Sequence, residues 1–209
     1  MKSKLFKVVS MSLILSMLFC TNMYLAFAQN LSETSSGSSD GAIMIDEEHF
    51  PDAKFRDYVS STFDKNTDGL LSKEEIEAVT YIFVNGKGIS SLQGVEYFVN
   101  LQSLYADVNR IQTLDVSKNV NLITLNVNNN ELKSITLPNQ EENNTLIYLD
   151  VFANRLTSLD VSNLHALTFL HADDNALTHL DLSENPLTQS HGFVAMNNYL
   201  ESITLPNNN

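Results

Sequence analysis

Cysteine occurs once in the 209 residues, at Cys20; tryptophan is absent, and there are only four prolines and seven glycines. A single cysteine excludes an internal disulfide framework, so stability has to come from packing, backbone ladders or metal. Basic residues are scarce as well: 12 Lys and Arg stand against 25 Asp and Glu, a net charge of −13. No basic footprint exists to displace the counterions of a nucleic acid, which excludes nucleic acid as a partner. Such acidity suits a protein that stays soluble outside the cell and attracts cations.

Long apolar runs are confined to the start. Lys2, Lys4 and Lys7 precede the run Val8–Phe19, and Ala26-Phe27-Ala28 forms a small-x-small cleavage site. This pattern predicts a signal peptide over residues 1–28, cut before Gln29. The run is too short to span a membrane permanently, Phe19 sits where a lipoprotein signal at Cys20 needs a small residue, and no stop-transfer pattern follows. No stable membrane insertion is expected after cleavage. The chain is expected to be secreted or extracellular, or held at the cell surface, and export without disulfides fits a bacterium. Residues 29–42, QNLSETSSGSSDGA, carry little to bury and read as a flexible tether.

Chemistry-bearing spacing appears next, in DKNTDGLLSKEE at residues 64–75. Phe55, Tyr58, Val59 and Phe63 fall three or four apart before it, one face of a helix, and Ile76, Val79 and Ile82 continue a short helical or extended face after it. Asp64, Asn66 and Asp68 alternate, Gly69 allows a sharp turn, Leu70 offers a carbonyl, Ser72 a hydroxyl and Glu75 a closing carboxylate. Oxygens at this spacing converge on a hard cation, and the stretch resembles the EF-hand loop, which implies calcium as cofactor. Ser72 to Glu75 is also a capping box, and Asp-Gly is ordinary turn chemistry, but neither explains the alternation of Asp64, Asn66 and Asp68. The expected role of the metal is structural, fixing the angle between two short helices with little core of their own.

From residue 89 the chain repeats. The units are LQSLYADVNRIQTLDVSKN (101–119), LITLNVNNNELKSITLPNQ (122–140), LIYLDVFANRLTSLDVSN (146–163) and LTFLHADDNALTHLDLSEN (167–185), with a fifth from Ser190 to the end. They align on Asn109, Asn130, Asn154, Asn175 and Asn198, about 21 to 24 residues apart. The extra residues of the second unit fall in the polar PNQEENN. A degenerate leading unit covers 82–100, with Ile82, Val84, Ile89 and Leu92 in phase. No unit can bury its apolar face alone, so successive coils must stack on a shared column. The asparagines are expected to serve backbone groups of adjacent coils.

The pattern L-x-x-L-x-V/A-x-x-N-x-L-x-x-L-D-V/L resembles the leucine-rich repeat family, and its second half resembles the short bacterial repeats of about 21 residues. HFPDAKFRDYVSSTFDKNTDGLLSKEEIEAVTYI is similar to the cap that often precedes such repeats in gut bacteria. The resemblance spans roughly residues 48–209 and implies binding in general. The expected fold class is therefore α+β: a small helix-loop-helix cap over 43–83, then a solenoid of five to six repeats over 84–209 with a parallel β-sheet on its concave face.

Alternation along that sheet turns Tyr105, Asp107, Tyr148, Asp150, Phe152, Phe169, His171 and Asp173 outward. Aromatics on a rigid sheet are anchors for a protein or glycan partner, though some can simply pair along the ladder. Catalysis finds little support. Cys20 leaves with the signal peptide, no Gly-x-Ser-x-Gly elbow exists, and the five histidines lack zinc spacing. Asp150 and His171 on neighbouring strands read as a solvated rung. The function expected is recognition by a non-enzymatic module. The alternatives are a dockerin-like calcium-dependent docking module, which would need a second loop, and a hydrolase accessory fragment. Self-association through an uncapped C-terminal edge is a further expectation.

Overall fold

The computed structural model describes residues 41–139, 145–187 and 192–206. The signal peptide, all but the last two residues of the tether, the core of the PNQEENN loop, and Ser190 and His191 lie outside the described residues.

The described chain begins with strand β1 (Ile43–Met44) and helix α1 (Ala53–Phe63). Asp52 caps α1, accepting from the backbone N–H of Lys54 and Phe55. One face of the helix is buried through Phe55, Val59 and Phe63. Strand β2 (Leu70–Leu71) pairs antiparallel with β1, and helix α2 (Lys73–Ala78) follows at once. Of the two conformations open to Ile76, Val79 and Ile82, only Ile76 is helical; Val79 ends α2 and Ile82 lies in strand β3 (Tyr81–Phe83).

Strand β3 opens a six-stranded parallel sheet. It continues through β4 (Ser103–Tyr105), β6 (Thr124–Asn126), β8 (Tyr148–Asp150), β9 (Phe169–His171) and β11 (Phe193–Val194), one strand per coil. Short ladders stack on the return path: β5 (Thr113–Asp115) with β7 (Ser134–Thr136), and β10 (His179–Asp181) with β12 (Ser202–Thr204). Residues Ile82, Leu104, Leu125, Leu149 and Leu170 are in register across the sheet and fully buried. Behind them stand buried columns of Ala106, Val127, Val151 and Ala172 and of Ile89, Ile111, Leu132, Leu156 and Leu177. At about 25 cal/mol per Å² of apolar surface removed from water, these columns supply most of the driving force for stacking.

A column of leucines leaves the turn backbone to be satisfied, and an asparagine does this in each of the five coils that follow the first. Each Oδ1 accepts a backbone N–H of the preceding coil: Ile89 to Asn109, Ile111 to Asn130, Leu132 to Asn154, Leu156 to Asn175 and Leu177 to Asn198, at 2.9–3.0 Å. Each Nδ2 donates to carbonyls of its own coil and the one before. To make that reach, the residue just before each asparagine enters the left-handed region: Val108, Asn129, Ala153, Asp174 and Asn197 have φ of 51–57°.

At the N-terminal edge of the sheet the helical segment takes the place of a missing coil. The Tyr58 hydroxyl accepts the Phe83 N–H at 3.2 Å, an edge donor that has no neighbouring strand. Asp52 accepts from both N–H and Oγ of Ser90 at 2.7 Å. Phe50 is fully buried against Tyr97 and Phe98.

Candidate functional site

Two places concentrate functional groups. In the loop 64–75, Asp64 is buried, and its two oxygens accept the N–H of Asp68 (3.2 Å) and Gly69 (3.0 Å). The Asn66 amide donates to Asp68 at 2.8 Å, and Asp68 accepts from Leu70 N–H at 2.8 Å. Glu75 accepts from Lys65 N–H (2.7 Å), Ser72 N–H (2.9 Å) and Ser72 Oγ (2.9 Å), while Ser72 Oγ accepts from the Glu75 N–H. The capping box is thus fully formed. Burial alone would raise the Glu75 carboxyl, but these donors outweigh it and hold it below its ordinary value. The candidate ligands ring one loop and close it on itself. Among the described residues, however, no three His, Cys, Asp or Glu side chains form a group able to hold a metal ion. The donor chemistry fits calcium, all oxygen; the placement of Glu75, turned to Lys65 and Ser72, is that of a cap. Where a paired loop would stand, β1 lies against β2, and Ile45 N–H donates to the Gly69 carbonyl at 3.0 Å.

The second place is the outward side of the six-stranded sheet. Pairing puts Tyr81, Ser103, Thr124, Tyr148 and Phe169 in one row and Phe83, Tyr105, Asn126, Asp150 and His171 in the next. Two residues further along lie Asn85, Asp107, Asn128, Phe152 and Asp173. All eight residues expected to bind a partner therefore share one side. They are not equally open. Asp150 and Asp173 are only 5% and 8% exposed, because neighbours engage them. Asp150 accepts from Asn128 Nδ2 and Phe152 N–H, each at 3.0 Å, and Asp173 accepts from Met196 N–H at 2.6 Å. The His171 ring lies between the two, 3.4 Å from each, and stacks on Phe152 with centroids 4.8 Å apart. The Asp150–His171 rung is packed, not solvated, since the ring above it keeps water off both carboxylates.

Rings pair along the ladder elsewhere too. Tyr148 and Phe169 are parallel within 2° at 4.5 Å, and Phe83 stacks on Tyr105 at 5.0 Å. Burial, and after it the nearby Asp150 carboxylate, raises the Tyr148 hydroxyl above its ordinary value. Sequence reasoning omitted Tyr81 and Phe83, which at 58% and 50% are the most exposed rings of the sheet. The signal was available: Ile82 and Val84 were in the inward phase, so their neighbours had to face out. Among the described residues no Lys or Arg stands in these rows.

No family model matches the chain. Internalin J of Listeria monocytogenes serotype 4b (strain F2365) is 32% identical over 70 residues, which are 34% of this chain and 8% of that protein. The solved functional domain of InlJ from Listeria monocytogenes superposes with a TM-score of 0.64 at 30% identity, covering 77% of this chain and 35% of that one. An internalin (inlF) of Listeria monocytogenes strain 4b F2365 gives 0.46 at 22% identity, over 78% and 64% of the two chains. The chain thus spans a small part of the curated relative it matches, and about a third of the InlJ domain. That domain is described as including a cysteine ladder; the ladder here is asparagine, and the only cysteine is Cys20. Repeat pattern, coil geometry and the likeness to the InlJ domain agree on a leucine-rich repeat solenoid fold. Among the described residues no helix is long and apolar enough to cross a membrane.

Proposed function

We propose that the chain is a secreted or surface-associated bacterial recognition module that binds a protein or glycan partner through the outward side of its six-stranded sheet. One observation carries this reading: Tyr81, Phe83 and Tyr105 form a contiguous aromatic strip on a rigid ladder, with two of the rings at least half exposed. Large apolar groups left in water on a rigid surface are characteristic of interaction sites. The likeness to the functional domain of InlJ supports a binding role, and the module is read as non-catalytic. An array of glycans and host proteins, probed with the mature chain, tests it. Binding should vanish in the Tyr81→Ala/Phe83→Ala double variant while the circular dichroism spectrum is unchanged; binding that survives both that pair and Tyr148→Ala/Phe169→Ala overturns it.

For residues 64–75 the reading is a structural calcium site formed by Asp64, Asn66, Asp68, the Leu70 carbonyl, Ser72 and Glu75. Its support is the set of oxygen-bearing side chains that converge on one loop and accept its backbone N–H groups. Its requirement is that Glu75 exchange the Lys65 and Ser72 donors for the ion. When bound, calcium would fix the angle between α1 and α2. Millimolar calcium should raise the melting temperature of the wild type and leave Glu75→Gln unmoved; equal responses, or none, reject the site.

Self-association is the remaining reading. Phe193, Ile203 and Leu205 in the last described coil are 36%, 41% and 50% exposed. Sedimentation that stays monomeric at high concentration removes it.

A further inference from the structure

Strand β3 is the first strand of the six-stranded sheet, and on one side it has no strand beside it. The Val84 N–H donates to the Tyr105 carbonyl at 2.8 Å, so Ile82 and Val84 aim their backbone groups at β4. Alternation turns the backbone groups of Tyr81 and Phe83 the other way. There the Tyr58 hydroxyl answers the Phe83 N–H at 3.2 Å. Tyr81 has no such answer, and its N–H and C=O make no hydrogen bond among the described residues. A donor and an acceptor on one side of one residue are what an added antiparallel strand uses, because facing residues exchange both bonds.

A cleft of about 370 Å³ opens beside that residue, between the end of α1, helix α2 and the start of β3. Its walls are mostly carbon: Phe63 and Val79 are buried, Ala78 and Tyr81 exposed. Lys65, Glu74 and Glu75 line it as well. Lys65 Nζ donates to the Thr62 carbonyl, and Glu75 accepts from the N–H groups of Lys65 and Ser72, so both side chains are engaged. Glu74 has no hydrogen-bond or ion-pair partner among the described residues. One place thus offers a main-chain pair, an apolar hollow and an unpaired carboxylate. A saccharide carries no N–H and C=O at strand spacing. An extended polypeptide uses all three features: its backbone pairs with Tyr81, a side chain enters the hollow, and a basic neighbour meets Glu74.

We propose that the edge of β3 at Tyr81 takes up an extended segment of a partner protein, which adds as a short strand, seats an aromatic or branched aliphatic side chain in the cleft and presents a lysine or arginine to Glu74. The proposal rests on the reading of the chain as a recognition module and names the chemistry of one contact. A positional-scanning library of acetylated, amidated heptapeptides is the probe, and NMR of the labelled full chain follows the Tyr81 backbone amide. Selection is expected for an aromatic or aliphatic residue at one position with a basic residue near it, and the selected peptide should shift the Tyr81 amide saturably. Methylating each peptide nitrogen in turn should find one whose loss weakens binding about tenfold, and Ala78→Trp, which fills the cleft from an exposed position, should do the same. Glu74→Gln should weaken it about threefold. Thermal unfolding checks that the variants fold, and the methylated peptides need no variant at all. A library without selection, or a selected peptide whose affinity ignores both methylation and Ala78→Trp, overturns the proposal. If the library is flat and the array of glycans and host proteins gives a hit, the recognition reading stands and the edge assignment falls. If both are blank, the recognition reading fails with it.

Discussion

Asn154 holds two coils together from a single side chain. Its Oδ1 accepts the Leu132 N–H at 2.9 Å, and its Nδ2 donates at 3.0 Å to the Val127 carbonyl of the coil before and to Val151 of its own. The side chain is 9% exposed, so water cannot replace these bonds. Asn154→Ala strands one buried donor and leaves carbonyls short of a partner. At about 1–3 kcal/mol for a buried group left unpaired, the loss should be roughly 2–4 kcal/mol. Asn154→Asp should not rescue it, because a carboxylate can accept from Leu132 but cannot donate to Val127. Urea denaturation at neutral pH measures both; an Ala variant within 0.5 kcal/mol of wild type, roughly the scatter of a neutral surface change, would contradict the ladder.

Much of this was readable from residue order alone. A motif written five times fixes which leucines face inward and which asparagine closes the turn, because stacking forces equivalent positions into register. Alternation then gives the side of the sheet for Tyr105, Tyr148 and Asp150. It does not give cover: that Asp150 and Asp173 both lie against the His171 ring, itself stacked on Phe152, depends on contacts across coils that exist only after folding. Loop 64–75 carries one pattern that serves two ends, and its spacing cannot tell whether Glu75 caps α2 or meets a metal. The left-handed residue before each asparagine was equally hidden. Asn and Asp at three of these positions favour that region, but Val108 and Ala153 do not, so in those two coils the coil geometry sets the backbone.

Gly94 was another such position. It has φ of 102°, and a Cβ there would overlap the Phe50 ring and the His49 carbonyl. Phe50 is fully buried and locks the helical segment onto the first coil through Tyr97 and Phe98. Gly94→Ala therefore carries backbone strain and expels a large side chain together, and should cost about 2–4 kcal/mol. Gly86→Ala, with open space around its Cβ and φ of 64°, isolates the strain and should cost about 1 kcal/mol. Thermal unfolding of the two variants separates the effects; equal shifts would show that Phe50 packing is not involved.

The same junction sets a pH dependence. Burial by itself would raise the Asp52 carboxyl, yet donors from Ser90 Oγ and N–H, Phe55 N–H and Lys54 N–H outweigh it and hold the acid below its ordinary value. A depressed folded value means that the carboxylate stabilises the fold fully above its unfolded value of about 3.9, and that this part is lost as pH falls through the folded value. Asp52→Asn keeps a capping oxygen but no charge. It should be less stable than wild type at pH 7, and its further loss on acidification below pH 4 should be shallower. Parallel stability curves from pH 7 to pH 2.5 would rule out this linkage.

Val108 offers a change in the opposite direction. It is the one β-branched residue among the five that precede the ladder asparagines, and it holds φ of 57° with 57% of its surface in water. Branching at Cβ makes the left-handed region costly, by roughly 1–2 kcal/mol, whereas asparagine enters it readily. Exposure means that little packing is lost with the side chain. Its backbone N–H, bonded to the Asn128 carbonyl at 3.0 Å, is retained by any non-proline residue. Val108→Asn, which copies what Asn129 and Asn197 already do in other coils, should raise stability by about 1 kcal/mol. Val108→Ile keeps the branch and should gain nothing. Denaturant midpoints that move together for Asn and Ile would show that the strain at this coil is relieved elsewhere in the chain.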